Sequence, residues 1–208
     1  MLNTTTILSK FIVIEGIDGA GTTTQARMLE KKFREKSIPF WATAEPTDSP
    51  IGRLIRTILK GELQVESAVT AHLFAADRWE HLYGHGGIRA KIETGYWVLS
   101  DRYHFSSLAY QGLLVDPDLV STLNSSFPLP EYYIFIDVPG EEASRRRALR
   151  STMEIYETDS FQTRVAHRYS QILRELSNTQ VKVLSLSGDL PIDKLHDRIC
   201  SFLPILGT

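Results

Sequence analysis

The sequence predicts an α/β fold of three layers, in which a parallel five-stranded sheet is flanked by helices. Two observations support this prediction. Short runs of apolar and β-branched residues alternate with longer stretches of helix-forming residues along the chain. These runs are apolar at successive positions, as is typical of strands that are covered on both faces. Because no repeat, low-complexity tract or linker interrupts the alternation, we expect one domain over residues 1–208.

Strands and helices are predicted in chain order from these runs. A loop that contains Pro46 follows the second strand and leads into a helix that begins at Ile51. The last helix is predicted from near Pro191 to about Leu203, because proline is favourable in a first helical turn. The predicted strands cover residues 11–14, 40–43, 96–100, 132–138 and 181–186.

A glycine-rich loop follows the first predicted strand and precedes a predicted helix. It fits the P-loop pattern, which is Gly, four residues, Gly, Lys and then Ser or Thr, except that Thr22 stands at the lysine position. Glycines allow backbone N–H groups to converge on an anion, and the helix start adds the positive end of its dipole. We therefore expect a P-loop over 16–23 in a fold of the P-loop NTPase type. The residues expected to contact nucleotide phosphates are Gly16, Ile17, Asp18, Gly19, Ala20, Gly21, Thr22, Thr23 and Thr24.

Composition excludes several classes of function. Hydrophobic residues make up 42% of the chain and charged residues 23%, and the formal net charge is −2. These values give no bias toward a nucleic acid polymer or a membrane surface. No apolar run approaches the length of about 18 residues that a membrane span needs. The single cysteine, Cys200, excludes a disulfide within one chain and favours a reducing compartment, so we expect a cytoplasmic protein.

Two further groups of polar residues are candidates for a functional site. Asp101 and Arg102 follow the third predicted strand, where an acidic side chain can hold Mg²⁺ through water and an arginine can bind phosphate oxygens. Phe74 and Arg78 are four residues apart and share one face of a predicted helix, so they can stack on a base and hydrogen-bond its edge. The alternatives are an ion pair at a strand end, and a core phenylalanine beside a solvated arginine.

Taken together, these motifs resemble the thymidylate kinase family, whose members transfer a phosphoryl group from ATP to thymidine monophosphate (dTMP). The resemblance extends from Phe11 to about Leu203. No single motif is decisive, but their order along the chain is highly specific. The motifs are residues 15–21 (EGIDGAG), Glu45-Pro46, Gly52 with Ile55-Arg56, 73–78 (LFAADR) with His81, 98–103 (VLSDRY), Ser106-Ser107, 109–111 (AYQ), 136–139 (IDVP), and Phe161, Val165 and Tyr169.

The resemblance implies a role for each matching position. Phe74 is expected to stack on thymine and Arg78 to hydrogen-bond it, while Arg56 and Arg102 hold the acceptor phosphate. Thr23 is expected to reach Mg²⁺, with Asp101 assisting through water. The expected catalytic residues are Asp18, Arg102 and Arg150. The expected substrate-binding residues are Arg56, Phe74, Arg78, Arg102, Tyr103, Ser107, Tyr110 and Gln111.

The chain lacks a cation at three positions: that of the P-loop lysine of the family, that of the arginine that the family usually carries in its lid, and that of the arginine that some members carry beside Asp18. These positions hold Thr22 in the loop, Gly19 beside Asp18, and Ile155 in the lid, which is expected at about residues 149–159. Arg147 and Arg150 match arginines of the family, and we expect Arg150 to face phosphate. Losing one cation of the transition state costs factors on the order of 10² to 10³.

Three hypotheses follow from the sequence. The first is an active dTMP kinase that uses ATP and Mg²⁺, with lid arginines and backbone amides doing the work of the lysine. The second is a nucleotide-binding protein that has weak or lost catalysis. The third is a related kinase with a different acceptor, such as another pyrimidine monophosphate or a nucleoside. Arg56, Phe74, Arg78, Arg102 and Gln111 argue against it, because a nucleoside would not need two arginines that hold a phosphate. The resemblance also implies a homodimer packed through helices on one face of the sheet.

Overall fold

The computed structural model describes residues 6–149 and 155–207, and its centre is a five-stranded sheet. All neighbouring strands are parallel, in the order β2-β3-β1-β4-β5, so the prediction of a parallel five-stranded sheet is confirmed. The strands are β1 (Ile7–Gly16), β2 (Phe40–Ala44), β3 (Trp97–Asp101), β4 (Leu129–Asp137) and β5 (Lys182–Ser187).

The first strand begins earlier than the apolar run predicted. Ile7 and Leu8 pair with Leu129 and Pro130 of β4, and the register shifts before Ile12, where regular pairing resumes. Lys10 lies at this irregularity with a φ of 59°. A polar residue in an unusual conformation interrupts the apolar pattern, which is why the pattern alone located only the part of β1 from Phe11 onward.

Helices cover both faces of the sheet and bury its central strand. Residues 11–14 of β1 are all fully buried, and Leu29 and Phe33 of the first helix are buried against the sheet. The ring of Phe33 stacks on Phe40 of β2 with centroids 4.1 Å apart. The helices are α1 (Thr22–Glu35), α2 (Pro50–Leu59), α3 (Ser67–Tyr83), α4 (Ile88–Glu93), α5 (His104–Tyr110), α6 (Pro117–Asn124), α7 (Gly140–Ala148), α8 (Asp159–Leu176) and α9 (Ile192–Phe202), with a 3₁₀ turn at Gln111–Leu113.

Parallel pairing brings the carboxyl ends of β1, β2 and β3 to one edge of the sheet. Gly16 ends β1, Ala44 ends β2 and Asp101 ends β3, and the register pairs Ala44 with Asp101. The glycine-rich loop, the Glu45-Pro46 segment and Arg102 therefore leave the sheet side by side, which positions the site described below. Within 6–149 and 155–207, no helix combines the length and the apolar character that crossing a bilayer requires. One domain over residues 1–208 stays a prediction.

Candidate nucleotide site

The loop between β1 and α1 has a backbone that only glycine tolerates at several points. Gly19 and Gly21 have φ values of 95° and 92°, in a region that L side chains rarely adopt. Gly16 is enclosed, since a Cβ there would lie 2.6 Å from Ala20 Cβ and 2.9 Å from the carbonyl oxygen of Ile136. The glycines are thus required by tight turns and by close packing against β4.

The same loop presents free backbone donors. The N–H of Ala20 donates to the carbonyl of Ile17 at 3.0 Å and closes the turn. Helix α1 begins at Thr22, so the N–H groups of its first turn have no partner within the helix. No described residue accepts a hydrogen bond from the N–H of Gly19 or of Gly21. These donors and the helix dipole form a cradle for an anion.

Thr23 and Asp101 form the part of the site that suits a cation. The hydroxyl of Thr23 donates to Asp101 Oδ2 at 2.6 Å, and Asp101 is 8% exposed. Its other oxygen, Oδ1, is buried and has no hydrogen-bond partner in the part of the chain that the structure describes. A buried carboxylate oxygen without a partner is costly unless water or a cation satisfies it. Because Mg²⁺ prefers oxygen ligands and keeps several waters, the pair fits that ion.

Asp18 and Arg102 connect the loop to the turn after β3. Arg102 Nη2 lies 2.6 Å from Asp18 Oδ1, and Nη1 donates to the Gly16 carbonyl at 3.1 Å. The other oxygen of Asp18 accepts from the Tyr110 hydroxyl at 3.0 Å and from Gln162 Nε2 at 2.7 Å. Burial, and next the charge of Asp18, raise the pKa of Tyr110, so this hydroxyl stays a donor. The carboxylate of Asp18 is therefore held from α5 and α8 together.

A buried carboxylate lies behind Arg102, and sequence reasoning assigned it no role. Glu15 is fully buried at the end of β1 and accepts from the Tyr103 N–H at 2.9 Å, Ser106 Oγ at 2.6 Å and the Tyr169 hydroxyl at 2.7 Å. Burial raises the pKa of Glu15 to about 7, although Arg102 and these hydrogen bonds lower it. Glu15 holds the turn at Arg102, which has a φ of 74°. The sequence feature that could have indicated this role is the position of charged Glu15 directly after the apolar residues of β1.

Arg78 is buried, and the described structure accounts for most of its donors. Its side chain has no exposed surface, so the alternative of a solvated arginine at this position is wrong. Nε donates to Glu45 Oε2 at 2.8 Å, Nη2 donates to Ser107 Oγ at 3.1 Å, and Nη1 donates to Asn124 Oδ1. One N–H of Nη1 is left without a partner among the described residues. Arg78 thus combines a fixed position with a remaining donor.

Arg56 reaches the site from α2. Its Nη2 donates to the Pro46 carbonyl and lies 3.3 Å from Asp48 Oδ1, and its side chain is 38% exposed. Ser49 caps the start of α2 by accepting from the N–H of Gly52 at 3.0 Å. The buried carboxylate of Asp77 on α3 accepts from Ser49 Oγ at 2.8 Å. This loop and cap fix the direction from which Arg56 approaches.

One cavity of about 360 Å³ joins the loop to these arginines. The hydroxyl of Ser107, predicted to bind substrate, accepts from Arg78 behind the cavity wall, whereas Gln111 lines the cavity with a side chain that makes no hydrogen bond to a described residue. Sequence reasoning missed Tyr156, whose ring stacks on Phe161 at 5.3 Å. Arg150 lies outside the described residues. The predicted residues that line the cavity are Ile17, Asp18, Gly19, Gly21, Thr22, Thr23, Thr24, Arg56, Phe74, Arg78, Asp101, Arg102, Tyr103, Tyr110 and Gln111.

The parallel sheet and the glycine-rich loop define an α/β protein of the P-loop class. A family model described as thymidylate kinase matches residues 14–199. A putative thymidylate kinase of Treponema pallidum is 42% identical over 201 residues, which are 95% of this chain and 96% of the relative. A probable thymidylate kinase of Pyrococcus horikoshii is 36% identical, covering 93% of this chain and 95% of the relative. The chain belongs to the thymidylate kinase family.

A solved structure supports the same assignment. The thymidylate kinase of Candida albicans superposes with a TM-score of 0.77 at 25% sequence identity. The match covers 91% of this chain and 88% of the fungal chain. The fungal structure reveals the origin of that enzyme's broad substrate specificity and a novel structural element. The fold prediction and the family resemblance are both confirmed.

Proposed function

We propose that the chain transfers the γ-phosphoryl group of ATP to dTMP and so forms dTDP. The observation that carries this proposal is one cavity whose lining combines the glycine-rich loop, the buried Arg78 and Phe74. Phosphoryl transfer depends mainly on positioning and on neutralising charge, and this cavity offers both to a donor and an acceptor nucleotide.

The acceptor base is proposed to lie between α3 and α5. Phe74 lines the cavity and offers a ring face for stacking. Thymine presents carbonyl acceptors and a ring N–H, which match the remaining Nη1 donor of Arg78 and the amide of Gln111. Tyr110 closes the pocket beside Asp18 and is proposed to disfavour a ribose hydroxyl. A nucleoside monophosphate with a pyrimidine base fits this set of donors and acceptors.

The acceptor phosphate is proposed to lie between Arg56 and Arg102. Both guanidiniums line the cavity, and planar guanidinium groups match phosphate oxygens. Arg102 is oriented by Asp18, whose carboxylate lies 2.6 Å away. Two arginines would serve no purpose for a nucleoside without phosphate, which favours a monophosphate acceptor. Asp18, Arg102 and Arg150 are the proposed catalytic residues.

The donor phosphates are proposed to occupy the cradle of the loop. Thr23 and the unpartnered Oδ1 of Asp101 would hold Mg²⁺, directly and through water. When bound, the ion neutralises charge on the transferring phosphoryl group. The backbone N–H groups of the loop orient the phosphates, and Tyr156 beside the cavity helps to exclude water.

A second candidate is a nucleotide-binding protein with weak catalysis. The observation that favours it is the absence of charge at Thr22, Gly19 and Ile155, where members of the family carry cations. The hydroxyl of Thr22 makes no hydrogen bond to a described residue, and Ile155 is 49% exposed with its N–H bonded to the Leu59 carbonyl at 2.9 Å. This candidate and the kinase share the acceptor pocket and differ in rate.

A coupled assay of ADP formation with ATP and Mg²⁺ separates the candidates. We expect turnover with dTMP, slower turnover with other pyrimidine monophosphates and none with thymidine. Phe74→Ala is expected to raise the KM for dTMP about tenfold, because base stacking contributes roughly 1–3 kcal/mol. Tyr83→Ala, on the same helix and away from the cavity, is the control. Binding of dTMP without ADP formation above background would leave only the second candidate.

We further propose a cytoplasmic homodimer. Helices α2 and α3 expose apolar side chains, among them Leu54, Val69 and Trp79, and such side chains support an interface between copies of the chain. Light scattering coupled to gel filtration should give the mass of two chains. Trp79→Glu is expected to shift the protein from dimer to monomer. If the dimer is unchanged, this surface of α3 is not the interface.

A further inference from the structure

The loop cannot take a cation at the position beside Asp18. Gly19 has a φ of 95°, and a Cβ there would lie 2.6 Å from the backbone carbonyl oxygen of Ala143 on α7. A backbone oxygen at that distance cannot give way as the end of a flexible side chain can. Helix α7 therefore occupies the space that a side chain at position 19 would need. With Thr22 uncharged as well, positive charge must reach the loop from another element.

Arg147 on α7 supplies that charge. Its side chain is 4% exposed, although arginine is seldom buried without partners. Nη1 donates to the backbone carbonyl of Asp18 at 2.8 Å, and Nη2 donates to Asp159 Oδ1 at 2.6 Å. Asp159, the ion-pair partner, is 74% exposed.

The contact with Asp18 sets the direction of a loop donor. The peptide bond between Asp18 and Gly19 is trans, so its C=O and N–H point in opposite directions. Arg147 holds the carbonyl toward α7, and the N–H of Gly19 consequently points away from α7. Gly19 lines the cavity. A charged donor on the carbonyl also polarises the peptide and makes its N–H a stronger donor.

Residue 18 is held from its other side as well. The N–H of Asp18 donates to Gln162 Oε1 on α8 at 3.1 Å. Both peptide groups of Asp18 are thus bonded to side chains, one from α7 and one from α8. Of the two, only Arg147 brings a charge.

We propose that Arg147 is a positioning residue that partly replaces the P-loop lysine, by fixing the peptide between Asp18 and Gly19 toward the phosphates of ATP. The inference rests on the proposed function, since it takes ATP as the donor. It predicts a much larger effect on ATP than on dTMP. Arg147 bonds the backbone carbonyl of Asp18, whereas the Asp18 carboxylate that orients Arg102 is also held by Tyr110 and Gln162.

The test compares Arg147→Met with Arg145→Met in the full chain. Arg145 lies on the same helix with a side chain that is 70% exposed, and its partner among the described residues is Glu142, so it is a matched control. ATP binding is measured by titration calorimetry with a non-hydrolysable analogue, and KM is measured for both substrates. We expect Arg147→Met to weaken analogue binding about 10-fold to 100-fold and to change the KM for dTMP less than twofold. Arg145→Met should leave both values unchanged.

Rescue separates a role in positioning from a structural role. In the Arg147→Met background, Thr22→Lys is expected to raise the affinity for the analogue at least threefold. In the wild-type background the same substitution is expected to raise it less. If Arg147→Met does not fold, Arg147→Lys keeps the charge and should give an intermediate affinity. Unchanged analogue binding in Arg147→Met, or equal losses for analogue and dTMP without rescue, would overturn the inference. A wild type that binds the analogue but does not phosphorylate dTMP would refute the proposed function alone, and one that binds no analogue would refute this inference too.

Discussion

The buried carboxylate of Glu15 predicts how the stability of this protein depends on pH. Burial raises the pKa of Glu15 from an ordinary value of 4.5 to about 7 in the folded chain. A carboxyl group with a raised pKa binds its proton more tightly in the folded state than in the unfolded state. Its contribution to stability is therefore complete below pH 4.5 and is lost as the pH rises through about 7.

The size of this effect follows from the same two pKa values. Each tenfold difference in proton affinity corresponds to about 1.4 kcal/mol, so Glu15 contributes about 3 kcal/mol that is present at low pH and absent at pH 8. Hydrogen bonds from Ser106 and Tyr169 already limit the shift, because they favour the charged form. Without them the loss on raising the pH would be larger.

The assay is urea unfolding of the wild type and of Glu15→Gln at pH 5, 6, 7 and 8. The amide does not titrate, so the difference in unfolding free energy between the two proteins is expected to change by about 2.5 kcal/mol over this range, in favour of the variant at high pH. Tyr169→Phe removes a hydrogen bond to the charged form of Glu15. In this variant the loss of stability with rising pH should therefore extend to a higher pH than in the wild type.

Glu131→Gln is the control with the opposite sign. Burial is the largest single influence on Glu131 and would raise its pKa, but the hydrogen bonds from Lys182, the Lys10 N–H and Tyr132, together with the charge of Lys182, outweigh burial and lower that pKa. The stabilisation by Glu131 is therefore present above its unfolded pKa and is lost as the pH falls. A difference between wild type and Glu15→Gln that stays constant from pH 5 to pH 8 would refute the reasoning about Glu15.

Three further predictions follow from the site. Gly19→Ala is expected to lower the unfolding free energy by about 1–3 kcal/mol, because its φ is positive and its Cβ would meet the Ala143 carbonyl; an unchanged melting temperature would contradict the tight approach of α7. Asp101→Asn is expected to raise the Mg²⁺ concentration for half-maximal rate about tenfold, measured by magnesium titration, and an unchanged titration would exclude Asp101 from the metal site. Glu45→Ala leaves Arg78 buried without its carboxylate and should cost about 3 kcal/mol or more in urea unfolding; a loss below about 1 kcal/mol would show that this ion pair is not essential.

The residues of the acceptor pocket could be predicted from the sequence, but the hydrogen bonds between them could not. Helical spacing placed Phe74 and Arg78 on one face of α3, and both line the cavity. Spacing could not indicate that Ser107, on α5, would bond to Arg78. Arg78 and Ser107 are brought together by the packing of α3 and α5, which depends on side chains far apart in the chain.

The sequence by itself determined the five strands, the glycine-rich loop and the family, because alternation, glycine spacing and motif order are local properties. Only the tertiary structure decided which side chains act on the loop. Arg147 reaches the Asp18 carbonyl across 129 residues of chain, and Glu15 accepts from Tyr169 across 154. Such contacts arise when helices pack on the carboxyl edge of the sheet, so they cannot be predicted from local patterns in the sequence. The missing charge at Thr22 is visible in the sequence, whereas the guanidinium beside the loop is visible only in the fold.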